Sequence, residues 1–214
     1  MAEYLRPETL KSALDALGGA PWSVLAGGTD FYPVRVDRAL DDDVLDISAL
    51  GELRKIEERS DHWRLGALTT WSDLVRADLP PMFDGLKLSA REVGGVQIQN
   101  MGTLGGNLCN ASPAADGVPP LLSLAATVEV ASASGVQTMA LEDFIRGSRK
   151  TALATDQLLT ALIVPKPQHA RAAGHFLKLG ARKYMAISIV MVAANLEIDT
   201  DGNVSAARVA AGAC

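Results

Sequence analysis

Apolar positions along the chain alternate between two periods, and the switches between them predict a mixed order of helices and strands. Leu10, Leu14 and Leu17 fall on one face of a helix over Pro7–Leu17, with Pro7 suited to its first turn and Gly18-Gly19 ending it. A short buried strand follows at Ser23–Ala26, and another at Val44–Ile47. Lys55–Glu58 and Trp63–Leu68 read as strands of a small sheet. Thr70–Ala77 reads as a helix capped by Thr69 or Thr70, and Leu86–Val93 as a second helix ended by Gly94-Gly95. Ala114–Ala126 is helical in composition, with Pro119-Pro120 near its start or kinking it. Thr127–Ser132 and Val136–Met139 flank Ala133-Ser134-Gly135 as a hairpin, and Leu158–Val164 is a strand stopped by Pro165. Pro165–Ala170 is the candidate linker. Beyond it His175–Leu179, Ile189–Ile198 and Val204–Ala211 read as strands, with a turn at Asp199–Asn203.

Two glycine-rich segments interrupt this pattern. The first is Val24-Leu25-Ala26-Gly27-Gly28-Thr29-Asp30-Phe31, and the second runs from Asn100 to Pro113 around Thr103-Leu104-Gly105-Gly106-Asn107. Each sets paired glycines and a Thr hydroxyl at the end of an apolar run. Adjacent glycines let backbone N–H groups turn inward and let an anion approach with no Cβ in the way. Neither segment is a P-loop, since no Gly-Lys-Ser/Thr follows, and neither is the G-x-G-x-x-G fingerprint. The first alone is equally a strand-to-helix turn. The second adds Asn107, Asn110 and Ser112, more short hydrogen-bonding side chains than a turn needs. Together the two suggest one ligand with two phosphates, gripped from both sides.

Composition narrows the chemistry. The 214 residues are 48% hydrophobic and 21% charged, ordinary for one globular domain or two small ones. A net charge of −5 with no basic patch argues against nucleic acid. No apolar run approaches a membrane span, and the Met1–Pro7 stretch has no signal h-region, so the expectation is a cytoplasmic protein. Two cysteines, Cys109 and Cys214, cannot supply the four thiolates of an iron–sulfur cluster. His62, His169 and His175 lack metal-ligand spacing, and no nucleophile–base constellation can be assembled. A chain with so little chemistry of its own points to a bound organic cofactor.

The two segments, with Thr103-Leu104-Gly105-Gly106-Asn107-Leu108-Cys109-Asn110-Ala111-Ser112-Pro113-Ala114-Ala115-Asp116, Arg149-Lys150-Thr151 and Phe176-Leu177-Lys178, resemble the FAD-binding medium subunit of the molybdenum hydroxylases. That family includes xanthine dehydrogenase, carbon monoxide dehydrogenase and bacterial aromatic hydroxylases. The resemblance implies an α+β fold of the vanillyl-alcohol-oxidase (PCMH) type: an FAD-binding domain of two α/β subdomains over residues 1–167. The start of a smaller α+β C-terminal domain would occupy 168–214, apparently truncated. It implies that Val24, Leu25, Ala26, Gly27, Gly28, Thr29, Asp30 and Phe31 wrap the FAD diphosphate. Thr103, Leu104, Gly105, Gly106 and Asn107 would hold the diphosphate and ribityl chain from the other side. Asp116 would accept hydrogen bonds from cofactor hydroxyls, Leu159 would form an apolar wall, and Lys178 would stand near the isoalloxazine, where a cation stabilises the anionic reduced ring. No residue is expected to be catalytic in its own right or to bind metal.

The implied partners are a molybdopterin-binding large subunit and a [2Fe–2S] small subunit, with electrons leaving FAD for NAD+ or another acceptor. From the residues alone each assignment has a plainer alternative. Asp116 could cap the helix after it, Leu159 could be a core strand residue, and Lys178 a solvated charge. Two other functions also stay open: a stand-alone flavin oxidoreductase of the same fold, and a non-catalytic scaffold without flavin.

Overall fold

The computed structural model of the chain describes residues 2–36, 41–168 and 171–213. His169, Cys214 and the end of the expected linker lie outside the described residues.

The first unit holds β1 (Tyr4–Leu5), α1 (Leu10–Gly19), β2 (Ser23–Leu25) and β3 (Val44–Asp46). Its three strands form a parallel sheet in the order β1-β3-β2. The first helix starts later than its apolar stripe suggests, because Thr9 caps it by accepting from the Ser12 N–H. Gly18 and Gly19 lie inside that helix, and the chain leaves it at Ala20.

The second unit runs β4 (Ile56–Glu58), β5 (His62–Gly66), α2 (Trp71–Arg76), α3 (Asp84–Glu92), α4 (Val96–Met101), α5 (Leu104–Asn110), α6 (Val118–Ser123), β6 (Thr127–Ser132), β7 (Gly135–Ala140), α7 (Leu141–Phe144), β8 (Ile145–Gly147), β9 (Lys150–Thr151) and β10 (Leu158–Pro165). Five strands make one antiparallel sheet in the order β4-β5-β10-β6-β7, while β8 and β9 pair separately. β10 is buried along nearly its whole length, as its unbroken apolar run requires of a central strand. Leu74, Phe83, Leu86, Leu104, Leu108 and Leu121 from the helices meet Val128, Val130, Leu159 and Leu162 from the sheet in the main core. Ala131 and Leu158 belong instead to the core of the first unit, with Leu45, Ile47, Leu50 and Leu53. The large sheet is therefore sandwiched between a helical layer and the first unit.

Besides α1, and α7, which the sequence pattern did not predict, three further helical assignments differ from that pattern. The second glycine-rich segment is not a loop: Thr103 accepts from the Gly106 N–H and starts α5. α4 was invisible because Val96, Ile98 and Met101 give it no buried face. The helix expected over Ala114–Ala126 shrinks to Val118–Ser123, with Pro119 and Pro120 in its first turn, where a missing N–H costs nothing.

The third unit is an antiparallel sheet, β11 (Arg171–Gly180), β12 (Ser188–Ile198) and β13 (Val204–Gly212), in that order. Phe176, Met191 and Ala193 face the body of the protein, and Leu177, Leu179, Val192 and Leu196 face away, so both faces are apolar. The sheet sits so close to α3 that side chains are excluded at the contact. A Cβ on Gly85 would stand 3.0 Å from the His175 backbone, and one on Gly174 would stand 2.5 Å from the Met82 carbonyl oxygen. The Asn195 amide seals the same seam by donating to that carbonyl at 2.8 Å.

Candidate functional site

A cleft of about 490 Å³ opens between the first and second units, within the size range of small-molecule sites. Val24, Ala26, Gly27, Gly28, Thr29, Asp30 and Phe31 line one wall. Leu25 is buried behind them in the core. Gly28 adopts φ +73°, a conformation that side chains disfavour, and this turns the chain out of β2 and along the cleft. Tyr32 and Val34 donate back to Gly28 and Asp30, closing the turn. Among the described residues, no protein acceptor meets the N–H groups of Gly27, Gly28, Thr29, Asp30 or Phe31. Five successive unpaired donors on one cleft wall form a ready anion cradle.

The second segment is built differently. Thr103, Gly105, Gly106 and Asn107 line the opposite wall, and Leu104 is wholly buried beneath. Its first N–H groups are already committed. Leu104 donates to Thr69 O, Gly105 to Ala67 O at 2.8 Å, Gly106 to the Thr103 hydroxyl at 3.0 Å and Asn107 to Thr103 O. What this wall offers is the Asn107 side chain, whose buried Oδ1 accepts no hydrogen bond from the protein. A buried oxygen of that kind needs a partner, and a ligand hydroxyl or N–H in the cleft would supply one.

The glycines also hold the walls together. A Cβ on Gly27 would overlap the Met101 carbonyl, and one on Gly105 would stand 2.8 Å from Ala67 Cβ and its carbonyl. The first contact joins the two glycine segments and the second seats α5 on the strand end. The clearance at these glycines serves protein packing, a role the sequence does not distinguish from anion approach.

Leu159 lines the cleft from β10, 2% exposed, at the edge of a register shift. Trp71, Leu158 and Ile98 complete the apolar wall. Trp71 and Ile98 could not be found from the sequence, since each is an ordinary apolar residue until the tertiary fold turns it to the cleft.

Asp116 and Lys178 are not on the cleft wall. They meet each other: Lys178 Nζ lies 2.6 Å from Asp116 Oδ2, with both side chains under one-tenth exposed. Ser188 Oγ donates to Asp116 Oδ1 at 2.5 Å, and Lys178 Nζ also donates to the Glu92 carbonyl at 3.3 Å. Asp116 does not cap α6. The cluster ties the segment after α5 to two strands of the third unit. It adjoins the cleft through Gly117, where a Cβ would stand 2.8 Å from Asn107 Oδ1.

Cys109 lines the cleft too; it is a free, solvent-exposed cysteine whose thiol the surrounding protein pushes up to about 12. Tyr184 is exposed and away from the cleft. Among the described residues no group of His, Cys, Asp and Glu could hold a metal ion, and no helix is long and apolar enough to cross a membrane.

A cleft between two α+β units, with a glycine turn of free N–H groups on one wall and an unpartnered amide on the other, defines a domain that binds a phosphate-bearing organic cofactor. Comparison with known proteins makes this specific. The family described as FAD binding domain in molybdopterin dehydrogenase matches residues 1–167, and the chain belongs to it. It is 35% identical over 212 residues to the nicotinate dehydrogenase FAD-subunit of Eubacterium barkeri, covering 94% of this chain and 70% of that one. It is 34% identical over 217 residues to the putative xanthine dehydrogenase FAD-binding subunit XdhB of Escherichia coli K12, covering 99% and 73%. A solved structure of reconstituted CO dehydrogenase from Oligotropha carboxidovorans superposes with a TM-score of 0.90 at 26% identity, covering 99% of this chain and 74% of that one. The protein is thus a flavoprotein subunit of an oxidoreductase, and its cofactor is FAD.

Proposed function

We propose that this chain is the electron-transfer flavin subunit of a molybdopterin-dependent hydroxylase, working beside a molybdopterin-binding large subunit and a [2Fe–2S] small subunit. FAD, when bound, supplies the ring system that takes electrons from the partner's clusters and gives them to NAD+ or another acceptor. The chain's own part is to hold and orient that cofactor and to exclude water from it. The observation that carries this reading is the run of five unpaired N–H groups from Gly27 to Phe31, opposite the unpartnered Asn107 Oδ1.

In this reading the N–H groups of Gly27–Phe31 hold the diphosphate, with the Thr29 hydroxyl beside them. Thr103, Gly105 and Gly106 shape the facing wall, and Asn107 Oδ1 accepts from a sugar or ribityl hydroxyl. Leu159 and Trp71 supply apolar surface for a ring. Leu25 and Leu104 act from beneath, fixing the two segments. Asp116 and Lys178 act by anchoring the segment that carries Gly117 against Asn107. Residues 1–167 form the cofactor-binding domain, and the three-stranded sheet from Arg171 to Gly212 docks on it.

An absorbance spectrum after incubation with FAD and desalting tests the reading, with the released flavin quantified after denaturation. One FAD per chain is the expected result. A folded chain that retains no flavin at micromolar FAD overturns it and favours the flavin-free scaffold.

A further inference from the structure

Among the described residues that line the cleft, two carry a formal charge, Asp30 and Arg35. Arg35 ends the short helical turn that follows the glycine cradle, four residues beyond Phe31. Its guanidinium lies flat against that residue, 4.0 Å from the Phe31 ring centroid, and Nη1 donates to the Phe31 carbonyl at 3.0 Å. Nη2 pairs with Asp42 at 3.0 Å and touches Ser23 Oγ at 3.4 Å. The Arg35 side chain is 22% exposed, whereas that of Asp42 is 56% exposed.

A diphosphate diester carries two negative charges. The five cradle N–H groups can solvate those charges but cannot neutralise them, and Asp30 adds a third negative charge beside them. An uncompensated anion in a cleft of reduced dielectric is costly. Asp42 is a weak holder for a guanidinium, because a solvent-exposed carboxylate pairs at high dielectric. A phosphate in the cleft offers two oxygens that the planar guanidinium can meet bidentately, with less water around them.

We propose that Arg35 is the counter-charge of the cofactor's diphosphate. Asp42 holds it beside the cradle, and the arriving phosphate takes the guanidinium over. This rests on the FAD reading above and adds to it the residue that selects a diphosphate-bearing flavin over an uncharged one. The stacked Phe31 ring keeps the guanidinium from turning out to solvent in either state.

The test measures binding of FAD and of riboflavin to the full chain by flavin fluorescence, at low and high salt. The proteins compared are the wild type, Arg35→Gln and Asp42→Asn. Arg35→Gln is expected to weaken FAD about tenfold or more. It should also flatten the rise of the FAD Kd with salt and leave riboflavin affinity unchanged. Asp42→Asn, which removes the competing carboxylate, is expected to bind FAD as tightly as the wild type or more tightly. If Arg35→Gln binds FAD within about twofold of the wild type, or loses FAD and riboflavin equally, the assignment of Arg35 is overturned while the FAD reading stands. If the wild type binds neither flavin, the FAD reading falls and takes this inference with it. Arg35 contacts Phe31, Ser23 and Asp42, outside the buried apolar clusters, and circular dichroism should report an unchanged fold in both variants.

Discussion

Removing the ammonium from the buried Lys178–Asp116 pair that joins the second and third units should be far more damaging than its single ion pair suggests. In Lys178→Met the aliphatic stem keeps its place, but Asp116 loses the donor 2.6 Å from Oδ2 and retains Ser188 on Oδ1. At that distance and an effective dielectric of 20 the attraction is about 6 kcal/mol, offset in the wild type by the desolvation of both ions. The variant loses the attraction but keeps a carboxylate under one-tenth exposed, which sets the expected loss at about 3–5 kcal/mol. For a chain of this size that corresponds to a fall of roughly 6–20 °C in Tm. Urea unfolding of Lys178→Met, Asp116→Asn and the double variant measures the coupling. The double variant should recover most of the loss, with a coupling of about 2 kcal/mol or more, because no charge is left stranded. The reasoning is refuted if Lys178→Met costs less than about 1 kcal/mol, or if the two single losses simply add. The third unit would then be held by the glycine-lined seam at Gly85 and Gly174 and by the apolar patch around Phe176.

Acid should destabilise the fold through Asp73 and Glu129. Burial pushes both carboxyls up, but Arg54 and Thr70 at Asp73, and Arg64 and Thr160 at Glu129, hold them below their ordinary values on balance. A carboxyl depressed in the folded state contributes fully above its unfolded pKa and loses that contribution as pH falls through the folded value. The urea midpoint should therefore be flat from neutrality to about pH 5 and fall below about pH 4, more gently in Glu129→Gln; a midpoint unchanged at pH 3 would contradict this. Glycine substitutions should separate close packing from spare conformational freedom. Gly27→Ala drives a Cβ into the Met101 carbonyl and should cost about 1–3 kcal/mol along with FAD retention. Gly18→Ala, with nothing within 4 Å, should gain about 0.5–1 kcal/mol by thermal melt and leave flavin content unchanged.

The two glycine segments were legible as candidates because each sets a glycine pair at the end of an apolar run, and both line the same cleft. Gly27, Gly28, Thr29 and Asp30 lie on one wall and Gly105, Gly106 and Asn107 on the other, as two segments closing on one ligand require. The division of labour between them was not legible. Both read as backbone cradles, yet the first donors of the second are consumed by Ala67, Thr69 and Thr103, and its buried Asn107 oxygen is left without a protein partner. A residue pattern carries donor identity, but whether a donor is already satisfied depends on a partner elsewhere in the chain. Arg35 was missed for the same reason, since one arginine in a polar stretch carries no signal until Phe31 and the cradle are seen beside it.

Local chemistry along the chain sets those elements whose causes lie within a few residues. Thr70 and Asp73 form a reciprocal cap at the start of α2, alternation and a short turn make the β6–β7 hairpin, and an unbroken apolar run makes β10 a central strand. These need only neighbours within a few residues, so periodicity and capping chemistry suffice. Tertiary structure decided which strands share a sheet, placing β10 between β5 and β6 although about ninety residues of chain separate β5 from β10. It also set Asp116 against Lys178 across 62 positions and placed Gly27–Phe31 on a cleft wall facing residues some 80 positions later. Such pairings are fixed by burial and charge compensation summed over the whole molecule, and no window of the chain contains that sum.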